Sequence, residues 1–330
     1  MALTQQQVLD SITEQAIVAL RQQEEGAASD LLALYQSTQE QIIAKIQTAF
    51  PGESWDLVSM QNSRIQALLQ QINAEIMKLN GAAIGLTSDA TAQQFNDSAS
   101  WSAYALDQAT PANIAINYTQ LPDTTLRAIL STPFQGAQFS QRYGMINDAM
   151  ASDIRDQLMQ SMINGESMDD ASARVSTAMG GPGGGWTGGY AGRADSIART
   201  EIMRASNLAA QDVFQNQNKD IMEDEPEWFA TPDDRECPWC AGRDGKTATQ
   251  IRKLSLHARG KSDPFKGSAT MPLHPHCRCR WMPRLKTWKD LGIDIPEDAP
   301  DTARSMRLAD GSWGEVPVQS YDAWQAARGL

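Results

Sequence analysis

All four cysteines of the chain and two of its three histidines lie in two short stretches, CPWC from Cys237 to Cys240 and HPHCRC from His274 to Cys279. This confinement constrains the fold more than any other feature. A structural zinc site takes four N or S ligands in a tetrahedron, and a pair of cysteines two residues apart in a tight knuckle provides two of them. Cys237 and Cys240 form such a pair. After a gap of 33 residues the second stretch offers His274, His276, Cys277 and Cys279. Cys277 and Cys279 point the same way in an extended segment, because side chains alternate with period two. His274 and Cys277 repeat the spacing of the first knuckle. Four cysteines, or three cysteines with one histidine, both satisfy the geometry, so the expected ligands come from Cys237, Cys240, His274, Cys277 and Cys279, and the expected cofactor is a structural Zn2+.

Other uses of such residues fit less well. A redox dithiol belongs at the start of a helix following a strand, and no alternation of strands and helices surrounds CPWC. A zinc deaminase needs His-x-Glu upstream, yet no histidine precedes Cys237. An HNH-type nuclease would need an asparagine beyond the knuckle, and none follows Asn218. His257, alone in a basic polar stretch, reads as a surface histidine. Arg199 and Glu201 do not share a helix face, whereas Glu201 and Arg204 do, which favours surface or interdomain pairing over catalysis.

The rest of the chain reads as mainly α: an elongated helical bundle, a small α+β zinc-clipped C-terminal module and an extended C-terminal arm. Residues 1–80 predict three helices with apolar residues recurring every three or four positions. The first opens on the capping box Thr4-x-x-Gln7, the second closes through Ile42, Ile46 and Phe50 at Pro51-Gly52, and the third runs from Ile65 to Leu79 and stops at Asn80-Gly81. Ile146, Met150, Ile154 and Leu158 mark a further helix ending at Asn164-Gly165, and Ser167-x-x-Asp170 starts the next. The expected organisation is a helical partner-binding region over 1–120, a helical region over 121–225 with a Gly-rich hinge at 180–189, a zinc-binding module over 226–285 and the arm over 286–330. The hinge glycines follow no strand and lack the Lys-Ser/Thr ending of a phosphate loop. In the arm, Trp288, Trp313 and Trp324 share no periodicity and read as docking points on another surface.

Charge separates the module from the remainder. The chain carries a formal −12. Between Arg235 and Lys286, however, twelve Lys or Arg face three acids, a net of +9 against −21 elsewhere. Such a segment suits non-specific contact with DNA. The amino terminus lacks the basic flank and apolar core of a signal peptide, and no stretch approaches the ~20 apolar residues of a membrane span, so a soluble cytoplasmic product with no membrane partner is expected.

Three motifs taken together, IARTEIMRASNLAA, WFATPDDRECPWCAGRDGK and PLHPHCRCRWMP, resemble the phage Mu F-like minor head protein family. The matching positions are Arg199, Thr200, Glu201, Trp228, Thr231, Asp234, Arg235, Cys237, Cys240, Asp244, Gly245, His274, Pro275, Cys277, Arg278 and Cys279, within roughly residues 125–285. His276 stands where the family commonly has asparagine. The resemblance implies a non-enzymatic minor capsid protein of a tailed bacteriophage, made in the host cytoplasm and resident in the virion at the capsid interior or portal vertex. Its implied partners are the portal protein or the major capsid protein, and its implied role is head assembly, DNA packaging or ejection. A zinc-dependent, nuclease-like enzyme of phage origin is the rival reading.

Overall fold

The computed structural model describes residues 4–49, 62–111, 114–120, 122–134, 136–180, 188–231, 236–258, 260–294, 303–307, 313–317 and 320–330. The first apolar repeat forms one uninterrupted helix, α1 (Gln5–Ala49), and the second forms α2 (Asn62–Ala109). Two helices therefore stand where three were expected. The expected first helix, opening at Thr4-x-x-Gln7, and the expected second, closing through Ile42 and Ile46, are one, and α2 runs straight through Asn80-Gly81. An interior glycine costs a helix about 1 kcal/mol relative to alanine. That penalty is outweighed here by a buried stripe that continues on both sides, from Leu68, Ile72, Ile76 and Leu79 to Ala83. Asn80 does not cap; its Oδ1 accepts from Asn147 Nδ2 at 2.7 Å. Pro51-Gly52 lies outside the described residues.

Next come α3 (Asp123–Ser131), α4 (Phe139–Asn164), α5 (Met168–Gly180) and α6 (Gly189–Gln211), the last prolonged by a π-helical turn at Asp212–Gln217. Here the start and stop signals of the sequence hold. Gly165 ends α4 in the left-handed region (φ 62°), where a residue without Cβ is unstrained. Ser167 Oγ accepts from Asp170 N at 3.1 Å to start α5, and the Asp170 carboxylate accepts from Ser167 N in return. Of the expected hinge, residues 181–187 lie outside the described residues.

The chain divides into two compact units, with boundaries inside α1, α2, α3 and α6. One comprises Glu24–Ala90 and Arg127–Glu201. Its core is made by Leu31, Tyr35, Ile42 and Ile46 of α1, the α2 stripe, and Tyr143, Ile146, Met150, Ile154 and Leu158 of α4, closed by Val175 and Met179 of α5 and by Ala191, Ala194 and Ala198 of α6. Spacings of three and four along α1 and α2 are those of a packed helical seam. Glu201 is buried, not superficial, and pairs with Arg142 of α4. Arg199 binds Asp195 at 2.9 Å and Glu24 at 3.1 Å.

The other unit comprises Met1–Gln23, Thr91–Leu126 and Ile202–Leu330. Small residues let its α2 and α6 segments approach closely, with Ser98 Oγ donating to Ser206 O at 2.8 Å. Beyond α6 lie β1 (Glu227–Phe229), the one-turn α7 (Pro238–Ala241), α8 (Ala248–Arg252), β2 (His257–Ala258), β3 (Lys261–Ser262) and β4 (Arg280–Met282). β1 pairs antiparallel with β4, Trp228 opposite Trp281, and β2 pairs with β3. In the arm, β5 (Ala303–Arg307) and β6 (Trp313–Pro317) form a hairpin, and α9 (Tyr321–Arg328) closes the chain. Trp288 and Trp324 are fully buried within their own unit and so are not free docking points. Trp324 Nε1 donates to Asp107 Oδ2 at 3.0 Å, and Tyr321 stacks on Trp101 at 3.7 Å. They showed no periodicity because each is a single anchor, not part of a stripe.

Candidate metal centre

The first half of the centre is a knuckle that its own sequence folds. Cys237 has extended backbone (φ −82°, ψ 142°), and Pro238, with φ pre-set and no N–H to satisfy, begins the turn. The Cys240 N–H points back to Cys237 O at 3.0 Å and to Cys237 Sγ at 3.3 Å. This puts the two sulfurs on one side of the turn, 3.1 Å apart.

The residues that follow lock the knuckle in place. Arg243 is 0% exposed, and its guanidinium donates to Trp239 O (2.7 Å), Phe265 O (2.8 Å) and Asp263 Oδ2 (2.8 Å). A buried arginine with a paired carboxylate and carbonyl acceptors joins the knuckle to the loop that leads to the second cluster. Asp244 Oδ1 accepts from Ala230 N at 2.8 Å, and Gly245, at φ 66°, donates its N–H to Trp228 O at 2.8 Å. The Asp-Gly turn thereby fixes β1 beside the site. A Cβ at Gly242 would lie 2.7 Å from Leu256 Cδ1, so a larger residue there would have to push the Leu256 side chain aside.

The second half is a turn closed by Cys277 N donating to His274 O at 3.1 Å, with His276 at φ 58°. Asparagine and histidine tolerate that left-handed conformation better than most residues. The position thus serves the turn, and His276 is exposed and belongs to neither group of potential ligands. His274 Nδ1–H donates to Pro275 O at 2.7 Å, which leaves Nε2 facing the sulfurs, 3.2 Å from both Cys237 Sγ and Cys240 Sγ. Fixing the tautomer by a bond at the far nitrogen is how a metal-binding imidazole is ordinarily presented. Thr231 Oγ1 donates to Arg278 O (3.0 Å) and Asn207 Nδ2 to Cys279 O (3.2 Å), holding the segment that carries Cys277 and Cys279.

The five residues expected from the sequence meet in two groups that share Cys240: Cys237, Cys240 and His274, and Cys240, Cys277 and Cys279, the ligand atoms of each group lying within 4.8 Å of one another. Hydrogen bonding from the Cys240 thiol pulls Cys237 down to about 4, and Cys240 and Cys279 together pull Cys277 down to about 2. Cys240 is pushed up by the same three sulfurs, and contact with Cys237 raises His274 to about 9. The crowd of sulfurs can ionise only in part by itself, and a cation at its centre would let every ligand ionise. Around an ion with metal–sulfur distances of about 2.3 Å, tetrahedral ligand atoms stand roughly 3.5–3.8 Å apart. Cys237 Sγ and Cys240 Sγ, 3.1 Å apart, need part by only about 0.7 Å to admit one. The donor set therefore fits a thiolate-binding metal.

His257 is exposed on β2, near Ser262 Oγ at 3.2 Å, and takes no part. Not all of the charge of the basic segment is exposed. Arg243 and Arg280 are buried, Arg235 and Arg259 lie outside the described residues, and Arg252, Lys253, Lys261 and Lys266 are exposed. Arg243 and Asp263 went unnoticed as structural residues because a charge tally cannot separate an exposed ion from a buried one. Their signal was the three-residue step from Cys240 to Arg243, which continues the helical spacing of the knuckle.

Fold and site define a class, a mainly helical chain whose carboxy-terminal part carries a Cys/His cluster that could hold a metal ion. Residues 152–282, from within α4 to the end of β4, match the family described as phage Mu protein F like protein, and the resemblance drawn from the motifs holds. That family is one of phage head morphogenesis. No curated protein and no solved structure matches the chain.

Proposed function

We propose that the chain is a non-enzymatic minor capsid protein of a tailed bacteriophage, carried in the virion at the capsid interior or portal vertex and acting in head assembly, DNA packaging or ejection. The family match carries this reading, because it spans the whole Cys/His module and the helices that lead into it. In the same reading the module holds one structural Zn2+, and the portal or major capsid protein is the partner. Arg252, Lys253, Lys261 and Lys266 offer exposed charge for sequence-independent DNA contact, with affinity falling as salt rises. Among the described residues no helix is long and apolar enough to cross a membrane, in keeping with a virion protein.

The test is particle composition. Phage lacking this protein should yield defective heads or particles that fail to deliver DNA, and wild-type particles should contain it. Normal infectious particles without the protein would overturn the reading. Metal-dependent DNA cleavage by the purified chain, abolished by Cys237→Ala without unfolding, would favour the enzyme instead.

A further inference from the structure

The centre holds more donors than a tetrahedral ion can use. Four vertices are available, and five side chains converge. The five are not equivalent. Cys240, Cys277 and Cys279 are 3%, 2% and 3% exposed and form one group. Cys237 and His274 lie at the half-exposed edge and approach from opposite halves of the site. Cys237 Sγ is 3.1 Å and His274 Nε2 3.2 Å from Cys240 Sγ, and the two are 3.2 Å from each other. Both are oriented by their own backbone contacts, Cys237 at the start of α7 and His274 through Pro275 O. The two groups meet at Cys240, so an ion on the three buried thiolates has one vertex left, which either edge residue fills by shifting from beside Cys240 toward the ion.

We propose that the three buried thiolates of Cys240, Cys277 and Cys279 are the fixed ligands and that Cys237 and His274 share the fourth position. The inference rests on the metal-site reading above and adds the ligand set. With Cys237 bound the site is a four-thiolate dianion, and with His274 bound it is a three-thiolate monoanion. Exchange involves no redox step: one donor leaves the ion as the other arrives, and a displaced thiolate takes up a proton from water. The redundancy protects the clip at its weakest point. Cys237 is the one thiol that is not buried, and when an alkylating agent caps it, His274 completes the tetrahedron.

The experiment uses the full-length chain loaded with zinc, and in parallel with cobalt(II), and reads metal per protein together with the thiolate-to-cobalt absorption. Wild type, Cys237→Ser and His274→Ala should each retain one equivalent, while the double variant loses it. Cys277→Ser should lose it alone. The thiolate-to-cobalt band should be weaker in Cys237→Ser than in His274→Ala, since only the latter must use four sulfurs. Iodoacetamide should leave the metal in place in wild type and release it from His274→Ala. Helical circular dichroism checks that each variant has kept its fold. Loss of metal in either single edge variant overturns the shared position while leaving a metal site standing. Absence of metal from wild type overturns the site itself.

Discussion

The unit built from Glu24–Ala90 and Arg127–Glu201 and the module that follows β1 hold themselves together by different means. The first buries whole stripes of leucine, isoleucine, methionine and tyrosine. Among the described residues, three of the seven buried ones in the module's core, Cys240, Cys277 and Cys279, are cysteines, beside Trp228, Ala230, Ile251 and Leu273. Burial scales with apolar area at about 25 cal/mol per Å2, so the helices need no ligand. The module leans instead on a buried Arg243–Asp263 pair and on the Cys/His cluster.

The contrast can be broken most strongly at the proposed zinc site. Structural zinc in small modules contributes an apparent ~10–16 kcal/mol near neutral pH, so Cys277→Ser should leave the module unfolded in the full chain while α4 and α5 persist. Limited proteolysis followed by mass analysis of the fragments checks this. The second effect should come from Arg243→Ala, which strands the Asp263 carboxylate in a buried site and should cost about 3–5 kcal/mol. Denaturant melts followed through tryptophan fluorescence would register it. Ile154→Ala should cost about 2–5 kcal/mol in the helical unit through a cavity in its core, with metal content unchanged. Ser167→Ala, which removes the cap of α5, is the mildest, at about 0.5–2 kcal/mol, seen as a small shift in the same melt.

How far these features could be read beforehand follows the same division. The i+4 run from Ile146 to Leu158 and the signals at Asn164-Gly165 and Ser167 were legible because local chemistry and tertiary burial agree there. At Asn80-Gly81 they disagree, and burial on both sides prevails. The five candidate ligands were legible from spacing alone. What spacing could not show was the surplus of donors around Cys240, the conversion of Arg243 from a surface charge into a buried tie, or the anchoring of Trp324 on Asp107, since each depends on a partner distant in sequence.

The central claim is that metal, not apolar burial, holds the module. Hydrogen exchange on the full chain before and after removal of zinc by a chelator tests it most directly. The account predicts that amides from Glu236 to Met282 lose protection on chelation while those of α4 and α5 keep theirs, and that restoring zinc restores the difference. Equal protection of Glu236–Met282 in the metal-free and metal-loaded chain would contradict it.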